Sequence, residues 1–275
     1  MPDAPENRWR WKGGRPRLTS LATVMSEEER VSLGELKTLL LAMEEAQRKL
    51  WANRRHAVLL ILQGLDASGK DSLIRELSEG LDPAGFHAWS FGKPSPEEAA
   101  HDFLWRIVRR LPAKGEVAFF NRSHYEALLA ERFLPDAPKS TAFWSARARL
   151  IREWEQHLSD SGTRIIKVWL HTSEEEQRSR LLKRLDEPRK RWKFDPSDIE
   201  TFKRRKDYLK AVEEAIRDSH TEEAPWHIVP NDNKGDARRA VAWLLMWSAF
   251  VLLIFPFAAH SIWTVLPAVF AVGTM

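Results

Sequence analysis

The segment GLDASGK, which begins at Gly64, has the residue types and spacing of a phosphate-binding loop, G-x-x-x-x-G-K. Gly64 and Gly69 permit backbone angles that a side chain would forbid, so successive N–H groups can turn towards an anion. Lys70 adds a full positive charge, and a helix that begins near Gly69 adds the positive end of its dipole. We therefore predict that this loop, with Ala67 and Ser68 inside it, binds phosphate groups.

Two carboxylates make this loop unusual. The lysine of such loops is usually followed by Ser or Thr, whose hydroxyl binds magnesium, but here Asp71 follows Lys70 and Ser72 comes next. Asp66 lies inside the loop, where a carboxylate beside a phosphate is favourable mainly when a cation lies between them. We therefore place Asp71 and Ser72 among the phosphate-binding residues and predict a cation at Asp66.

A second group of polar residues, NRSHYE, follows an apolar run at residues 117–120 that is predicted to be a strand. Polar side chains just beyond the end of a parallel strand are where open α/β sheets bind ligands. Asn121, Arg122 and Glu126 are therefore candidate binding residues.

The elements that must position these residues alternate between strand and helix. Residues 57–62, directly before the loop, form a wholly apolar run that is typical of a strand buried on both faces. Further strands are predicted at residues 86–91, 164–170 and 226–229. Helices are predicted from residue 26 to about 51, after the phosphate loop, and at 97–110 and 142–158, with caps at Ser26, Ser173 and Ser197. The alternation predicts an α/β fold with a doubly wound, five-stranded parallel sheet.

Composition excludes several classes of protein. The chain has no cysteine, which excludes disulfides, thiolate catalysis and cysteine-ligated zinc. Its nine histidines show no metal-ligand spacing, and its formal charge of +4 does not make it a polycation. We therefore expect no nucleic acid partner. The N-terminus has no apolar segment of signal-peptide length, so we expect a cytoplasmic protein.

Residues 178–206 form a basic stretch, with twelve Lys and Arg against five Asp and Glu. It contains the segment DEPRKRWK, which begins at Asp186 and lies between two predicted helices. One interpretation is a pair of solvated helices. The other, which we favour beside a phosphate loop, is a helical lid that closes over a polyanionic substrate and excludes water.

Two short motifs resemble those of GTPases but lie in unsuitable places. Residues 233–236 spell N-K-x-D after a predicted strand, and residues 82–85 spell D-x-x-G. The second motif should follow a later strand near the γ-phosphate, whereas here it follows the first helix after the phosphate loop and is predicted to form a turn. Four-residue patterns are weak alone, and the sequence does not favour a GTPase.

Both ends of the chain differ from the predicted domain at residues 26–239. Residues 1–25 begin with a stretch rich in Pro, Gly, Arg and Trp, which predicts an irregular or disordered arm. Residues 240–275 contain no Asp, Glu, Lys or Arg. Such a tail is long enough to cross a bilayer, with Arg238 and Arg239 on the cytoplasmic side. A terminal helix packed on the sheet is the alternative, and the sequence leaves both open.

These motifs together resemble the polyphosphate kinase 2 family, and in particular its subgroup that phosphorylates both nucleoside mono- and diphosphates. The resemblance covers roughly residues 20–238. Besides the phosphate loop it rests on these motifs: KP at 93–94, FLWR at 103–106, LPAKGE at 111–116, FNRS at 120–123, Asp186 with Pro188, RWKF at 191–194, and APW at 224–226 with Pro230. It implies the fold of phosphate-loop kinases, a five-stranded parallel sheet with a helical lid.

The resemblance also implies roles for particular residues. Asp66 would bind Mg²⁺ and orient the acceptor phosphate, and Lys70 and Arg122 would neutralise charge on the phosphoryl groups. Many relatives have aspartate at Asn121, so Glu126 becomes a second candidate ligand of the metal. Further phosphate or nucleotide contacts are implied for residues in the matching motifs and the lid, namely Lys93, Arg106, Arg178, Arg189 and Lys193.

The resulting hypothesis is a magnesium-dependent enzyme that moves phosphoryl groups reversibly between inorganic polyphosphate and nucleotides, from AMP to ADP and from ADP to ATP. We also expect a homo-oligomer, with membrane contact if the tail enters a bilayer. One alternative is a nucleotide or small-molecule kinase that requires ATP. Another, suggested by Asn121 and the tail, is a membrane-anchored scaffold that binds phosphate without catalysis.

Overall fold

The computed structural model describes residues 8–254, apart from the side chains of residues 250, 251, 253 and 254. Within this part of the chain, five parallel strands form one sheet in the order β2-β3-β1-β4-β5. The strands are β1 (Ala57–Gly64), β2 (Phe86–Ser90), β3 (Val117–Asn121), β4 (Thr163–His171) and β5 (Trp226–Pro230). The predicted fold class is confirmed.

The central strand β1 has every residue buried, which agrees with its apolar sequence. Leu60 lies opposite Phe119 of β3 and Ile166 of β4. Because all strands are parallel, the carboxyl end of β1 lies between those of β3 and β4. The phosphate loop that follows β1 therefore lies at the middle of the sheet edge, next to Asn121.

Helices cover both faces of the sheet. The two clusters of buried apolar residues show that α6 and α9 pack on one face, with Leu59 and Ile61 of β1, whereas α2, α3 and α10 pack on the other, with Leu60 and Leu62. The helices are α1 (Glu27–Ser32), α2 (Leu36–Asn53), α3 (Lys70–Ser78), α4 (Pro96–Ala99), α5 (Trp105–Val108), α6 (Thr141–Asp160), α7 (Glu174–Asp186), α8 (Ser197–Lys203), α9 (Arg205–Ser219) and α10 (Lys234–Ile254). This alternation of helices makes the sheet doubly wound.

Two of the predicted helices are interrupted. The helix predicted after Ser26 begins with the expected capping box, but it is divided into α1 and α2 near Gly34, whose φ is +68°. The helix predicted at residues 97–110 is wrong, because α4 and α5 are separate short helices. Between them the side chain of Asp102 accepts a hydrogen bond from Leu104 N (2.9 Å), a local bond that competes with the helix.

The caps of the two helices after β4 differ from one another. Ser173 caps α7 as predicted, since its side chain accepts a hydrogen bond from Glu176 N. The cap predicted at Ser197 is wrong, because α8 has Pro196 at the N-cap. Asp195 accepts a hydrogen bond from Ser197 N instead (2.8 Å), so the carboxylate two residues earlier acts in place of the serine hydroxyl.

The N-terminal arm is irregular, as predicted, but from residue 8 onwards it packs on the sheet rather than being disordered. Trp11 N donates to Trp226 O (2.8 Å), and Ile228 N donates to Trp9 O (2.7 Å). An isolated antiparallel bridge joins Arg10 to His227. The arm therefore covers the edge of β5, where unpaired backbone groups would otherwise be open to another chain.

The described part of the apolar tail belongs to α10. Its residues Ala240, Val241, Leu244 and Leu245 are buried in the cluster that also contains α2 and the sheet. In the part of the chain that the structure describes, no helix has the length and apolarity needed to cross a membrane. Up to residue 254, the structure therefore agrees with the terminal-helix alternative. Residues 255–275 of the predicted tail lie outside the described residues.

The packing of α10 predicts a measurable difference between two leucines. Leu245 is 4% exposed under the sheet, whereas Leu41 on α2 is 58% exposed. We expect Leu245→Ala to lower the free energy of unfolding by about 2–5 kcal/mol and Leu41→Ala to change it by less than about 0.5 kcal/mol. Urea unfolding of the two variants measures both values. Equal effects would contradict the assignment of α10 to the core.

Candidate active site

The phosphate loop has the predicted unusual backbone at Gly69 and also at Ala67, whereas Gly64 is the last residue of β1 and has no positive φ. Ala67 and Gly69 both have positive φ, +62° and +97°, and α3 begins at the next residue, Lys70. A Cβ atom on Gly64 would lie 2.7 Å from Ser68 Oγ, so a side chain there would displace the loop. The turn thus brings the start of α3 and the charge of Lys70 to the same place.

The outer side of the loop is bonded to two other elements. Gln177 Nε2 of α7 donates to Asp66 O (3.1 Å), and Arg180 Nη1 donates to Ser68 O (2.9 Å). Beyond β5, Asn231 Nδ2 also donates to Ser68 O (2.7 Å). With these carbonyl groups held outside, the N–H sides of the same peptide groups are directed towards the interior of the loop.

The ammonium group of Lys70 is almost completely buried. It donates to Gly64 O (2.7 Å), Leu65 O (3.2 Å) and Ser68 Oγ (3.3 Å), all within its own loop. Its pKa is lowered to about 8, first by burial and then by the charge of Arg122, although the carboxylate of Asp66 opposes this shift. A bound anion would favour the charged form.

Asp66 and Arg122 face each other across the site. Arg122 Nη2 donates to Asp66 Oδ1 at 2.8 Å. The backbone of Arg122 has φ +61°, a conformation that few residues other than glycine adopt, and its N–H donates to Leu62 O of β1 (3.0 Å). The turn after β3 therefore directs a cationic side chain towards the phosphate loop.

Two residues whose oxygen atoms could bind a metal ion, Asn121 and Glu126, lie beside the Asp66–Arg122 pair. Asn121 Nδ2 donates to Asp71 Oδ1 (2.5 Å), and Asn121 Oδ1 is buried with no hydrogen-bond partner among residues 8–254. Burial raises the pKa of Glu126, while Arg122 opposes the shift. The side-chain amide of Gln63 fits its surroundings when its nitrogen faces Glu126 and its oxygen faces Ser123. In this orientation Gln63 Nε2 donates to Glu126 Oε1 (3.0 Å). Carboxylate and amide oxygens are the ligands that Mg²⁺ prefers.

These groups line one cavity of about 730 Å³ at the carboxyl edge of the sheet. The cavity brings together residues from the phosphate loop, the turn after β3 and the basic stretch. Of the residues predicted from the sequence it includes Gly64, Asp66, Ala67, Gly69, Lys70, Asp71, Ser72, Asn121, Arg122, Glu126 and Lys193.

The remaining predicted residues lie elsewhere. Ser68 is buried beneath the loop, where it accepts from Lys70. Lys93 is exposed, and Arg106 Nη1 donates to Gly92 O (2.9 Å). Arg178 lies in a separate shallow groove along α7, and the exposed Arg189 pairs with Glu187. The structure does not bring these four basic side chains to the cavity, and their roles stay predictions.

The cavity also contains residues that were not predicted individually. Some belong to the basic stretch, namely Arg180, Lys183, Arg184 and Lys190, whereas Arg75, Tyr208 and Lys234 lie outside it. Lys234 belongs to the N-K-x-D motif, and its pKa is lowered to about 8, first by burial and then by the charge of Arg180. The rule that selected the residues after β3 could have found it, because Asn231 and Lys234 follow the end of β5. Tyr208 carried no local pattern.

The arrangement is suited to phosphoryl transfer. Loop peptide groups, a helix N-terminus and several cations converge on one space, together with carboxylate and amide oxygens that could bind a metal ion. Such a reaction requires little covalent chemistry from the protein beyond positioning and neutralisation of charge. The geometry alone does not name the donor or the acceptor.

Comparison with known proteins identifies the family. The family model described as Polyphosphate kinase 2 (PPK2) matches residues 26–249. The ADP-polyphosphate phosphotransferase of Rhodopseudomonas palustris is 45% identical over 217 residues, 75% of each chain. The AMP/ADP-polyphosphate phosphotransferase of Meiothermus ruber is 42% identical over 226 residues, 82% of this chain and 83% of the relative.

A solved structure gives the same result. The crystal structure of Polyphosphate Kinase 2 from Arthrobacter aurescens superimposes with a TM-score of 0.84 and 33% identity, and the alignment covers 98% of this chain and 97% of that one. The match includes the sheet, the phosphate loop and the basic stretch that build the cavity. The resemblance inferred from the motifs is thus confirmed, and the chain belongs to the polyphosphate kinase 2 family.

Proposed function

We propose that this protein transfers phosphoryl groups between inorganic polyphosphate and nucleoside mono- and diphosphates. The observation that carries the proposal is the single cavity in which the phosphate loop faces the cations of the basic stretch. A polyphosphate chain has about one negative charge per unit, so a cavity lined with cations is its complement. The names of the relatives from R. palustris and M. ruber support the same pair of substrates.

In this proposal, the chain's own residues bind and orient the two phosphate groups. Lys70 moves its ammonium hydrogen bonds from the loop carbonyls to the transferring phosphoryl group, where its charge offsets the charge that develops. Arg122, on the opposite wall, binds phosphate oxygens with its planar guanidinium group. The lid at residues 178–206 brings Lys183, Lys190 and Lys193 over the substrate and excludes water from it.

The residues present fit a magnesium ion. Asp66, Glu126 and the unpaired Oδ1 of Asn121 are oxygen donors that line the same cavity. No group of three or more His, Cys, Asp or Glu that could bind a metal occurs among the described residues. A magnesium ion here would therefore need substrate phosphates as further ligands, in addition to one or two carboxylates. When bound, the ion would supply positive charge next to the phosphoryl oxygens.

We infer that AMP and ADP are both acceptors, as the name of the M. ruber relative suggests for that protein. Asn121 is neutral, so this position adds no further negative charge beside the longer diphosphate. The expected homo-oligomer stays a prediction.

The first experiment measures which donor the enzyme uses. Purified protein is incubated with Mg²⁺, AMP or ADP and long-chain polyphosphate as the sole donor, and nucleotides are separated by chromatography. We expect ADP and ATP to form, and addition of EDTA to stop the reaction. Transfer from ATP alone, with no product from polyphosphate, would contradict the proposal and favour an ATP-dependent kinase. Binding without turnover from either donor would favour a scaffold.

The pKa of Lys70 predicts an alkaline limit to activity. Lys70 is charged below its pKa of about 8 in the free enzyme, so kcat/KM for polyphosphate should fall about tenfold per pH unit above that value. The pKa of Lys234 is also lowered to about 8, and Lys234→Arg serves as the control because arginine stays charged. Rate measurements between about pH 6 and 10 on both proteins test this.

Each outcome of the pH experiment assigns the limiting group. The same alkaline fall in the wild type and in Lys234→Arg would support Lys70. Loss of the fall in Lys234→Arg would assign it to Lys234 instead. A kcat/KM that stays constant to about pH 10 would contradict the requirement for a charged lysine in either position.

A further inference from the structure

A buried charged cluster lies behind the turn that carries Arg122 and Glu126. Glu155 of α6 and Lys167 of β4 form an ion pair of 2.6 Å, and both residues are 0% exposed. Neither residue lines the cavity. The ion pair therefore lies in the interior, outside the cavity. Because taking charges out of water is costly, its presence there requires an explanation.

The cluster is bonded to two consecutive residues of that turn. Tyr125 OH donates to Glu155 Oε1 (2.9 Å) and accepts from Lys167 Nζ (3.0 Å). His124 Nε2 lies 3.0 Å from the same Glu155 oxygen. The cluster contains the carboxylate of Glu155 and the ammonium group of Lys167, which form its ion pair. Every charged group in the cluster thus has a partner.

The order of residues along the turn connects the cluster to the active site. His124 and Tyr125 are buried in the interior, whereas Arg122 and Glu126 on either side of them line the cavity. The left-handed backbone of Arg122 is a conformation that persists only when surrounding contacts hold it. Bonds to the two interior side chains are therefore among the contacts that hold this turn.

Stability alone does not account for the cluster. A buried ion pair is often no more stabilising than apolar side chains of the same volume, and such side chains surround this one, including Trp226 and Ile151. Unlike apolar side chains, the ion pair forms hydrogen bonds, which are directional. These bonds fix the ring planes of His124 and Tyr125.

The same cluster also reaches a helix that lines the cavity. Lys167 Nζ donates to Ser219 O at the end of α9 (2.8 Å). The first turns of α9 contribute Tyr208 to the cavity wall. The turn after β3 and the helix after the lid are therefore both bonded to one ammonium group.

We propose that Glu155 and Lys167 are positioning residues for phosphoryl transfer, which act through His124 and Tyr125 to hold Arg122 and Glu126 in the cavity. The inference rests on the proposed function, since it assigns these side chains a part in that reaction. A misplacement of about 1 Å at a reacting group can lower a rate by about a hundredfold. The cluster keeps the turn from such a shift.

The test removes one hydroxyl group from the cluster. Tyr125→Phe keeps the ring but loses the bonds to Glu155 and Lys167. We expect kcat to fall by about tenfold or more, and the apparent affinity for Mg²⁺ to fall with it, while KM for polyphosphate changes by less than about threefold. A second variant, Glu155→Gln with Lys167→Met, removes both charges together, so that neither charge is left unpaired. We expect it also to lower kcat while KM for polyphosphate changes little.

The matched control is Ser248→Ala. It also removes a buried hydroxyl, but on α10, which packs on the opposite face of the sheet from the cluster. We expect this variant to keep kcat within about twofold of the wild type after correction for the folded fraction. The positioning role is overturned if Tyr125→Phe also keeps kcat within about twofold of the wild type. It is overturned as well if Tyr125→Phe and the control variant lower kcat equally.

A crystal structure of Tyr125→Phe decides the inference independently of activity. Displacement of Arg122 from Asp66, now 2.8 Å apart, or of Glu126 from the cavity, would support it. An unchanged turn would overturn it. Absence of transfer by the wild-type enzyme would instead count against the proposed function, and the crystal structure would still decide whether the cluster holds the turn.

Discussion

The site depends on keeping the Lys70 ammonium charged although it is almost completely withdrawn from water. Burial alone would favour the neutral amine, and the pKa of about 8 shows how close the balance is. The loop offsets burial with its own carbonyl groups at Gly64 and Leu65, and with carboxylates nearby. A phosphate group would replace those carbonyls as the partner of the ammonium. Without a ligand, the loop thus provides the bonds that a substrate later takes over.

The rest of the fold holds that loop and places counter-charges around it. The parallel sheet brings the ends of β1, β3 and β5 to one edge, so Lys70, Arg122 and Lys234 reach one cavity from distant parts of the chain. Arg180 joins the phosphate loop to the segment after β5 by hydrogen bonds to Ser68 O and Asn231 O. Arg180 thereby fixes α7, the first helix of the basic stretch, to the phosphate loop.

Patterns of neighbouring residues in the sequence predicted the parts of the site that depend on local backbone geometry. The cavity residues that were not predicted reach the site only through contacts between distant parts of the chain. The phosphate loop and the turn at Asn121 follow buried strands directly, so sequence alone located them. Arg180 and Tyr208 lie on helices whose spacing is that of any amphipathic helix, and only the tertiary fold directs them to the cavity. The helix predicted at residues 97–110 failed because the bond between Asp102 and Leu104 outweighed an apolar periodicity. Composition could not distinguish a membrane segment from α10, since both require apolar residues.

In the proposed function Asp66, which is paired with Arg122 here, would help to hold a magnesium ion while Arg122 binds phosphate. Asp66→Asn tests it most directly, because the amide keeps the size of the side chain and removes its charge. Loss of metal-ion assistance worth several kcal/mol, at about 1.4 kcal/mol per tenfold, predicts that kcat for polyphosphate-dependent ADP phosphorylation falls by about a hundredfold or more. The exposed Asp136→Asn should leave kcat within about twofold of the wild type. A folded Asp66→Asn enzyme with nearly normal kcat at saturating Mg²⁺ would contradict the account.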